Sequence, residues 1–387
     1  MARQAASVGD YRALAKARLP HFLFEYLDGG SYDEVTLRRN VEDLQSVALR
    51  QRVLRDVSAI DLSTELFGQR WAMPVGLGPV GLSGLYARRG EVQAARAAAT
   101  AGVPFSLSTL SACSIGEVAE KTRAPFWFQL YIVKDRSFVR DMIARAKEAG
   151  CGALLLTVDL AVPGMRYRDY RAGLSGSIRG PGSRLRQVIQ RPDWAWDVAI
   201  RGRPMTMGNL EPLLGSGAVL ADLMGWVGAN FDASVTWKDV EWVREQWKGP
   251  LVIKGVLDPD DARQAAASGA DGIVVSNHGG RQLDGVSSTA RALPAVAEAV
   301  TGGMPVLVDG GVRSGLDVVR MLALGADFVL LGRAWAYALA ARGEAGVAHV
   351  LKLIDAEMRV AMALTGCTNG SELGRDIIAE QGTVPRP

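Results

Sequence analysis

Cysteine is scarce in this chain. Cys113, Cys151 and Cys367 are odd in number, scattered, and form no CxxC pair. That pattern argues against a disulfide framework or a zinc site and for a reducing compartment. Histidine is equally rare, with three in 387 residues, so an imidazole in a chemical setting stands out. The net charge is only +3, too small to mark a nucleic-acid binder. No run of about 18 apolar residues occurs, and Met1-Ala2-Arg3-Gln4-Ala5 carries no apolar signal core. Neither secretion nor a spanning helix is expected, while attachment to a membrane surface stays open.

What the chain does have is apolar bulk and glycine. Apolar residues make up 48% and glycines number 44, enough for a large core and many tight turns. Eight short apolar runs, 74–78, 104–109, 125–131, 152–159, 250–256, 272–277, 305–311 and 328–333, read as strands. They are continuous rather than alternating, as expected for strands covered on both faces of a parallel sheet. Amphipathic stretches at 89–101, 138–149, 259–268 and 316–324 predict helices between them, each followed by glycine. Eight such units in series indicate a (β/α)8 barrel, a TIM barrel, with a doubly wound sheet as the rival. The barrel spans 74–366. Residues 1–73 form a helical segment capping its mouth, and 367–387 a C-terminal tail.

The spacing is regular except after the fourth run, where a long insertion intervenes at about 171–235. Its first part, 171–207, carries Arg179, Arg184, Arg186, Arg191, Arg201 and Arg203 beside Trp194 and Trp196. Arginines interleaved with tryptophans suit an anionic membrane surface, with the indoles at headgroup depth. A solvated excursion packed on the barrel or a neighbouring subunit reads equally well.

Barrel enzymes place their chemistry at the C-terminal strand ends. Here those ends read Pro79-Val80-Gly81, Ser108, Gln129 with Tyr131, Thr157 with Asp159, and Lys254. The last three contribute Ser276 with His278 and Arg281, Asp309 with Gly311 and Arg313, and Gly332-Arg333. Polar groups converging on one rim above apolar strands are hard to explain by packing. The two final Gly–Arg pairs suit a phosphate, although each alone also fits a turn glycine beside a surface arginine. One phosphate plus Ser108, Gln129, Thr157 and Lys254 suits flavin mononucleotide (FMN), whose ring edge needs such donors and acceptors. Arg281 and Arg166 can clamp a carboxylate. Tyr26 and Tyr131 can bind its neighbouring oxygens, and Asp159 can orient His278 as a base. Alternatively, Asp159 caps a helix and Tyr26 fills the core. No metal site is expected.

The ten residues Ser276-Asn277-His278-Gly279-Gly280-Arg281-Gln282-Leu283-Asp284-Gly285 are the most specific signature. With the rim residues above, the chain from about Asp10 to Gly366 resembles the FMN-dependent 2-hydroxy acid dehydrogenase and oxidase family. The stretches FLFEYLDGGSYDEVTLRRN, PVGLSGLYARRGEVQA and DWAWD are similar to the family's bacterial respiratory L-lactate dehydrogenases. The resemblance implies His278, Asp159 and Tyr131 as catalytic residues and Tyr26, Tyr131, Arg166, Arg281 and His278 as the substrate site. Its FMN contacts carry over to Pro79, Val80, Gly81, Ser108, Gln129, Thr157, Lys254, Ser276, Asp309, Gly311, Arg313, Gly332 and Arg333. It implies oxidation of L-lactate to pyruvate with a membrane quinone or cytochrome as acceptor. Mandelate dehydrogenation and an oxygen-using oxidase are the alternatives, with a phosphate-binding isomerase and a flavin sensor further off. Gly81, alanine in the familiar oxidases, favours a dehydrogenase. The implied setting is peripheral, on the cytoplasmic side of the bacterial inner membrane with contact through 171–207, in a homotetramer. Leu110 is implied in the substrate pocket.

Overall fold

The computed structural model describes residues 5–174, 182–202, 206–214 and 223–379. A short antiparallel hairpin, β1 (Thr64–Leu66) and β2 (Gln69–Trp71), precedes eight parallel strands. These are β3 (Val75–Leu77), β4 (Ser106–Ser108), β5 (Trp127–Leu130), β6 (Ala153–Thr157), β7 (Leu251–Val256), β8 (Gly272–Val275), β9 (Val306–Val308) and β10 (Phe328–Leu331). Each pairs with its sequence neighbour, β10 returns to β3, and a bridge from Leu77 to Phe105 joins β3 to the start of β4. The ring closes. Every predicted run contains one of these strands.

The ladders are shorter than the runs because their ends do different work. Nearly every strand residue is buried, whereas the polar residues just beyond leave the ladder and line the mouth. Inside the barrel Trp127, Leu155, Val252, Val274, Phe328 and Leu330 pack together with Leu66 of the hairpin. Phe67 and Trp71 stack edge-on against Trp127 at 6.0 and 6.1 Å. The hairpin therefore plugs the N-terminal end of the barrel. This corrects the expectation of a wholly helical N-terminal segment at the mouth, which applies only to the helices Val8–Arg18, His21–Asp28 and Val35–Gln45.

The outer helices begin and end as their sequences predict. Ser114, Asp135, Asp258, Ser288 and Ser314 each accept a backbone N–H in the first turn of the helix that follows. Gly102, Gly150, Gly269 and Gly325, which follow the four helices, all hold positive φ. The last helix, Arg333–Thr365, is broken at Arg342 and Gly343, where Gly343 takes φ 59° and ψ −143°.

The signature loop docks the N-terminal segment onto the barrel. Asn277 and Asn40 exchange side-chain hydrogen bonds at 2.7 and 2.8 Å in a buried reciprocal pair. Glu34, the residue preceding the helix Val35–Gln45, gives it no side-chain cap. Asp284 supplies one instead, accepting from Val35 and Thr36 N–H at 3.1 and 2.7 Å.

Candidate active site

The C-terminal mouth opens into a cavity of about 1190 Å3, including its opening, lined by the ends of the barrel strands, by Tyr26 and Leu27, and by Pro163, Arg166 and Val227. His278 stands on its wall with φ 56°, a conformation unfavourable for a non-glycine residue. Its backbone N–H donates to Ser276 Oγ at 3.1 Å, and Nδ1 lies 2.8 Å from Asp159 Oδ1. Burial opposes charge on Asp159, but the neighbouring His278 and Lys254 outweigh it and hold the carboxyl below its ordinary value. An ionised carboxylate only accepts, so Nδ1 carries the proton and Nε2 is left as the open nitrogen.

Across the cavity two arginines flank one aromatic ring. The Arg281 and Arg166 guanidinium carbons lie 4.7 and 5.9 Å from the Tyr26 centroid. Arg281 Nη1 donates to the carbonyls of Tyr26 at 2.6 Å and Gly29 at 2.8 Å, and Arg166 Nε donates to Arg281 O at 3.3 Å. Burial, then the charge of Arg281, hold Arg166 below its ordinary value. A bound anion would relieve Arg166; on Arg281 burial is already outweighed, by Tyr26 and Asp169 among others. Tyr131, above β5, stacks on Phe231 of the insertion at 4.8 Å. Burial, reinforced by Asp159, pushes its phenol well up, so it remains a proton-bearing donor.

Lys254 on β7 is fixed by two contacts, themselves joined to each other. Its Nζ lies 2.8 Å from Asp309 Oδ2 and 2.8 Å from Ser276 Oγ, which in turn donates to Asp309 Oδ1 at 2.7 Å. Burial opposes its charge, yet Asp309 and Asp159 more than offset that and raise it. Ser108 Oγ donates to Gln129 Oε1 at 3.0 Å, while Gln129 Nε2 and Thr157 Oγ1 are buried with no protein partner. Unpaired buried donors of this kind are costly. At the far end Arg313 and Arg333 stand beside Gly311 and Gly332. Arg333 gives its donors to the carbonyls of Leu27, Gly279 and Gly29 at 3.1, 2.9 and 2.7 Å, and burial pushes its guanidinium down to about 9. A Cβ on Gly332, which precedes the helix Arg333–Thr365, would meet nothing within 4 Å, whereas one on Gly311 would lie 2.0 Å from Asn40 O. The first glycine faces open space at a positive helix end; the second is fixed by packing.

These features fit FMN. Its ring edge offers carbonyls and an N–H to the unpartnered Gln129 and Thr157 atoms, and its phosphate offers the anion that Arg313, Arg333 and the helix end lack. Of the residues expected around the site, Pro79, Val80, Gly81, Ser108, Thr157, Lys254, Asp309, Gly311, Arg313, Gly332 and Arg333 line the cavity, as do Tyr26, Tyr131, Arg166, His278, Arg281 and Leu110. Gln129, Ser276 and Asp159 are not among the lining residues: Ser276 and Asp159 act through Lys254 and His278, and Gln129 is bonded to Ser108 through Oε1 with its Nε2 left for the flavin edge.

Some contributors were missed. Tyr86, Leu160, Pro163 and Val227 also line the cavity. Asp28 is buried behind it, bonded to Arg12, Arg168 and Tyr337 at 2.5, 2.9 and 2.7 Å. An acid inside Leu27-Asp28-Gly29-Gly30 was the available signal. The insertion also needs a correction. Trp194 is buried and donates to Leu85 O at 2.7 Å, Arg191 donates to Leu19 O at 3.1 Å, and Arg184 to Gly173 O at 2.6 Å. Only Trp196 of the two indoles is exposed; Arg179 and Arg203 lie outside the described residues.

The chain is similar to known proteins over nearly its whole length. The FMN-dependent dehydrogenase family matches residues 15–380. An L-lactate dehydrogenase of Caulobacter vibrioides (strain NA1000 / CB15N) is 61% identical over 98% of this chain and 99% of its own. One of Ectopseudomonas mendocina (strain ymp) is 60% identical over 96% and 98%. Among solved structures, a monotopic membrane protein, (S)-mandelate dehydrogenase, superposes with a TM-score of 0.92 at 37% identity, covering 98% of this chain and 100% of that one. A mandelate oxidase with (S)-4-hydroxymandelic acid follows at 0.83 and 38%, covering 95% and 97%. With buried donors shaped for a flavin and a match across nearly the whole length, the chain belongs to the FMN-dependent dehydrogenase family, with FMN as its cofactor.

Proposed function

We propose that this protein oxidises L-lactate to pyruvate and passes the electrons to a membrane quinone or cytochrome. One juxtaposition carries the reading: the open Nε2 of His278 shares a single cavity with Arg166 and Arg281, two cations placed to clamp a carboxylate. The substrate carboxylate docks on Arg166 and Arg281, with Tyr26 between them. Its hydroxyl lies between Tyr131 and His278. His278 takes a proton at Nε2, and Asp159 stabilises the resulting imidazolium through Nδ1. Bound FMN would supply the two-electron acceptor; Pro79, Val80 and Gly81 would hold its ring, Ser108, Gln129, Thr157 and Lys254 its edge, and Gly311, Arg313, Gly332 and Arg333 its phosphate. Asp309 and Ser276 hold Lys254, and Asp309 favours its charge, so that it would stabilise negative charge on a flavin held at that edge.

Lactate is favoured by relatives of that name at about 60% identity. Mandelate is the second reading, because solved mandelate enzymes share the architecture at 37% and 38%. An acceptor other than oxygen is supported by Gly81: an added methyl would touch Leu110 at 3.4 Å and otherwise stand in the cavity. Peripheral attachment on the cytoplasmic side of the inner membrane, through 171–207, is supported by Leu185, Ile189, Trp196 and Ile200, all more than half exposed, and by the exposed Arg186 and Arg201. Among the described residues no helix is long and apolar enough to cross a membrane. The expected assembly is a homotetramer, which light scattering would test.

Anaerobic mixing decides the activity. L-lactate should bleach the flavin absorbance within the turnover time and (S)-mandelate much more slowly. A flavin left unbleached by L-lactate overturns the substrate; hydrogen peroxide formed in step with pyruvate overturns the acceptor.

A further inference from the structure

A second cavity lies away from the barrel mouth and shares no lining residue with it. It encloses about 1310 Å3 including its opening, and seven arginines and lysines line it against two carboxylates. In a chain of net charge +3, that is a local excess. Two of the cations are already answered: Arg18 pairs with Asp197 at 2.5 Å, and Arg89 pairs with Glu117. Among the described residues no carboxylate lies within ion-pair distance of Arg88, Arg96, Lys121 or Arg201.

The backbone adds to the same field. Arg89 begins the helix Gly90–Thr100 in the left-handed region at φ 51° and gives it no side-chain cap. The break at Arg342 and Gly343 restarts the last helix at the cavity wall, where Gln93 Oε1 accepts the Glu344 N–H at 2.8 Å. A Cβ on Gly343 would lie 2.4 Å from that same Gln93 oxygen, so the break and the glutamine are built together. Two positive helix ends thus converge where four cations lack a counter-charge.

We infer that this cavity binds a phosphoryl group. The insertion supplies one wall with Asp197 and Arg201, one helical turn apart, while Trp196 and Ile200 on the neighbouring positions are 59% and 54% exposed. The group can come from an anionic phospholipid, its chains lying along Trp196 and Ile200, or from a soluble phosphate compound. A lipid source rests on the peripheral attachment proposed above, which uses the same Trp196, Ile200 and Arg201; a soluble source does not, and neither depends on the substrate or acceptor assigned there.

The test uses the full-length FMN-loaded enzyme, so that the flavin phosphate site is filled. Inorganic pyrophosphate is titrated by calorimetry, and vesicles of phosphatidylcholine with phosphatidylglycerol are used for sedimentation. Arg88→Gln with Arg201→Gln, both away from the catalytic machinery, should leave dye-linked turnover unchanged. Each charge removed should weaken the occupied probe by about fivefold. Weakened vesicle binding identifies a lipid headgroup; weakened pyrophosphate binding with unchanged vesicle binding identifies a soluble ligand. Trp196→Ser with Ile200→Ser should lose vesicles yet retain pyrophosphate, separating the anion site from apolar contact. If wild type and the double arginine variant bind both probes alike, the inference is wrong.

Discussion

At the residue scale the imidazole–carboxylate pair dominates. His278→Gln should lower kcat by about 10²- to 10⁴-fold, the usual contribution of a positioned base, with FMN content unchanged. Asp159→Asn should also lower kcat, because an amide can present Nδ1 with a donor and turn the ring to the wrong tautomer. Stopped-flow reduction of the bound flavin reads both. If His278→Gln is reduced as fast as wild type, the base is elsewhere. The two cationic ends of the cavity separate differently. Among the described residues Arg313 makes its side-chain hydrogen bond only to its neighbour's carbonyl, Val312 O at 2.8 Å, so Arg313→Ala should spare the apoprotein's melting temperature. It should still raise the Kd for FMN by about thirtyfold, the equivalent of about 2 kcal/mol for one partner of a buried charge pair. Gly311→Ala behaves oppositely. With φ 83° and a Cβ only 2.0 Å from Asn40 O, it should cost the fold several kcal/mol, visible as a lowered denaturant midpoint.

At the scale of elements, what was legible follows from where each element finds its partner. The eight strands read directly because Val, Leu and Ile fill both faces, and the helix stops read because glycine stands where φ turns positive. The site was legible on the same grounds, since polar residues that end buried apolar strands come together at the barrel mouth. The hairpin was not. Thr-Glu-Leu and Gln-Arg-Trp alternate weakly, and Phe67 and Trp71 are covered by a Trp127 that is distant in sequence. The break in the last helix was hidden for a similar reason, because Gln93 that seats it lies 251 residues from Glu344. Tryptophans of the insertion looked alike in sequence, yet Trp194 meets the Leu85 carbonyl and Trp196 meets solvent. Nothing local distinguishes them.

At the scale of the whole molecule, Asp28 ties three remote segments together: Arg12 in the first helix, Arg168 in the short helix Tyr167–Ala172 after β6 and Tyr337 in the last helix. Burial opposes its charge, but those three partners hold its carboxyl far below the ordinary range. A folded-state value below the unfolded one contributes stability above the unfolded pKa, about 3.9, and loses it as pH falls towards the folded value. Asp28→Asn should therefore cost about 3 kcal/mol at neutral pH, as for breaking a buried pair, and the gap to wild type should begin to narrow below about pH 4. Urea unfolding of both proteins from pH 7 to pH 3 checks this. A gap that stays constant across that range would mean that the carboxylate's charge is irrelevant.

One peptide oxygen has a wider consequence. The carbonyl of Gly29 accepts from Arg281 at 2.8 Å and from Arg333 at 2.7 Å, so the groups assigned to lactate and to the flavin phosphate lean on a common support. Occupying either side stiffens that support for the other, which makes the two affinities reciprocal. An inert dicarboxylate such as oxalate should then slow the escape of flavin from the enzyme. The factor by which it retains flavin at equilibrium should equal the factor by which flavin tightens oxalate.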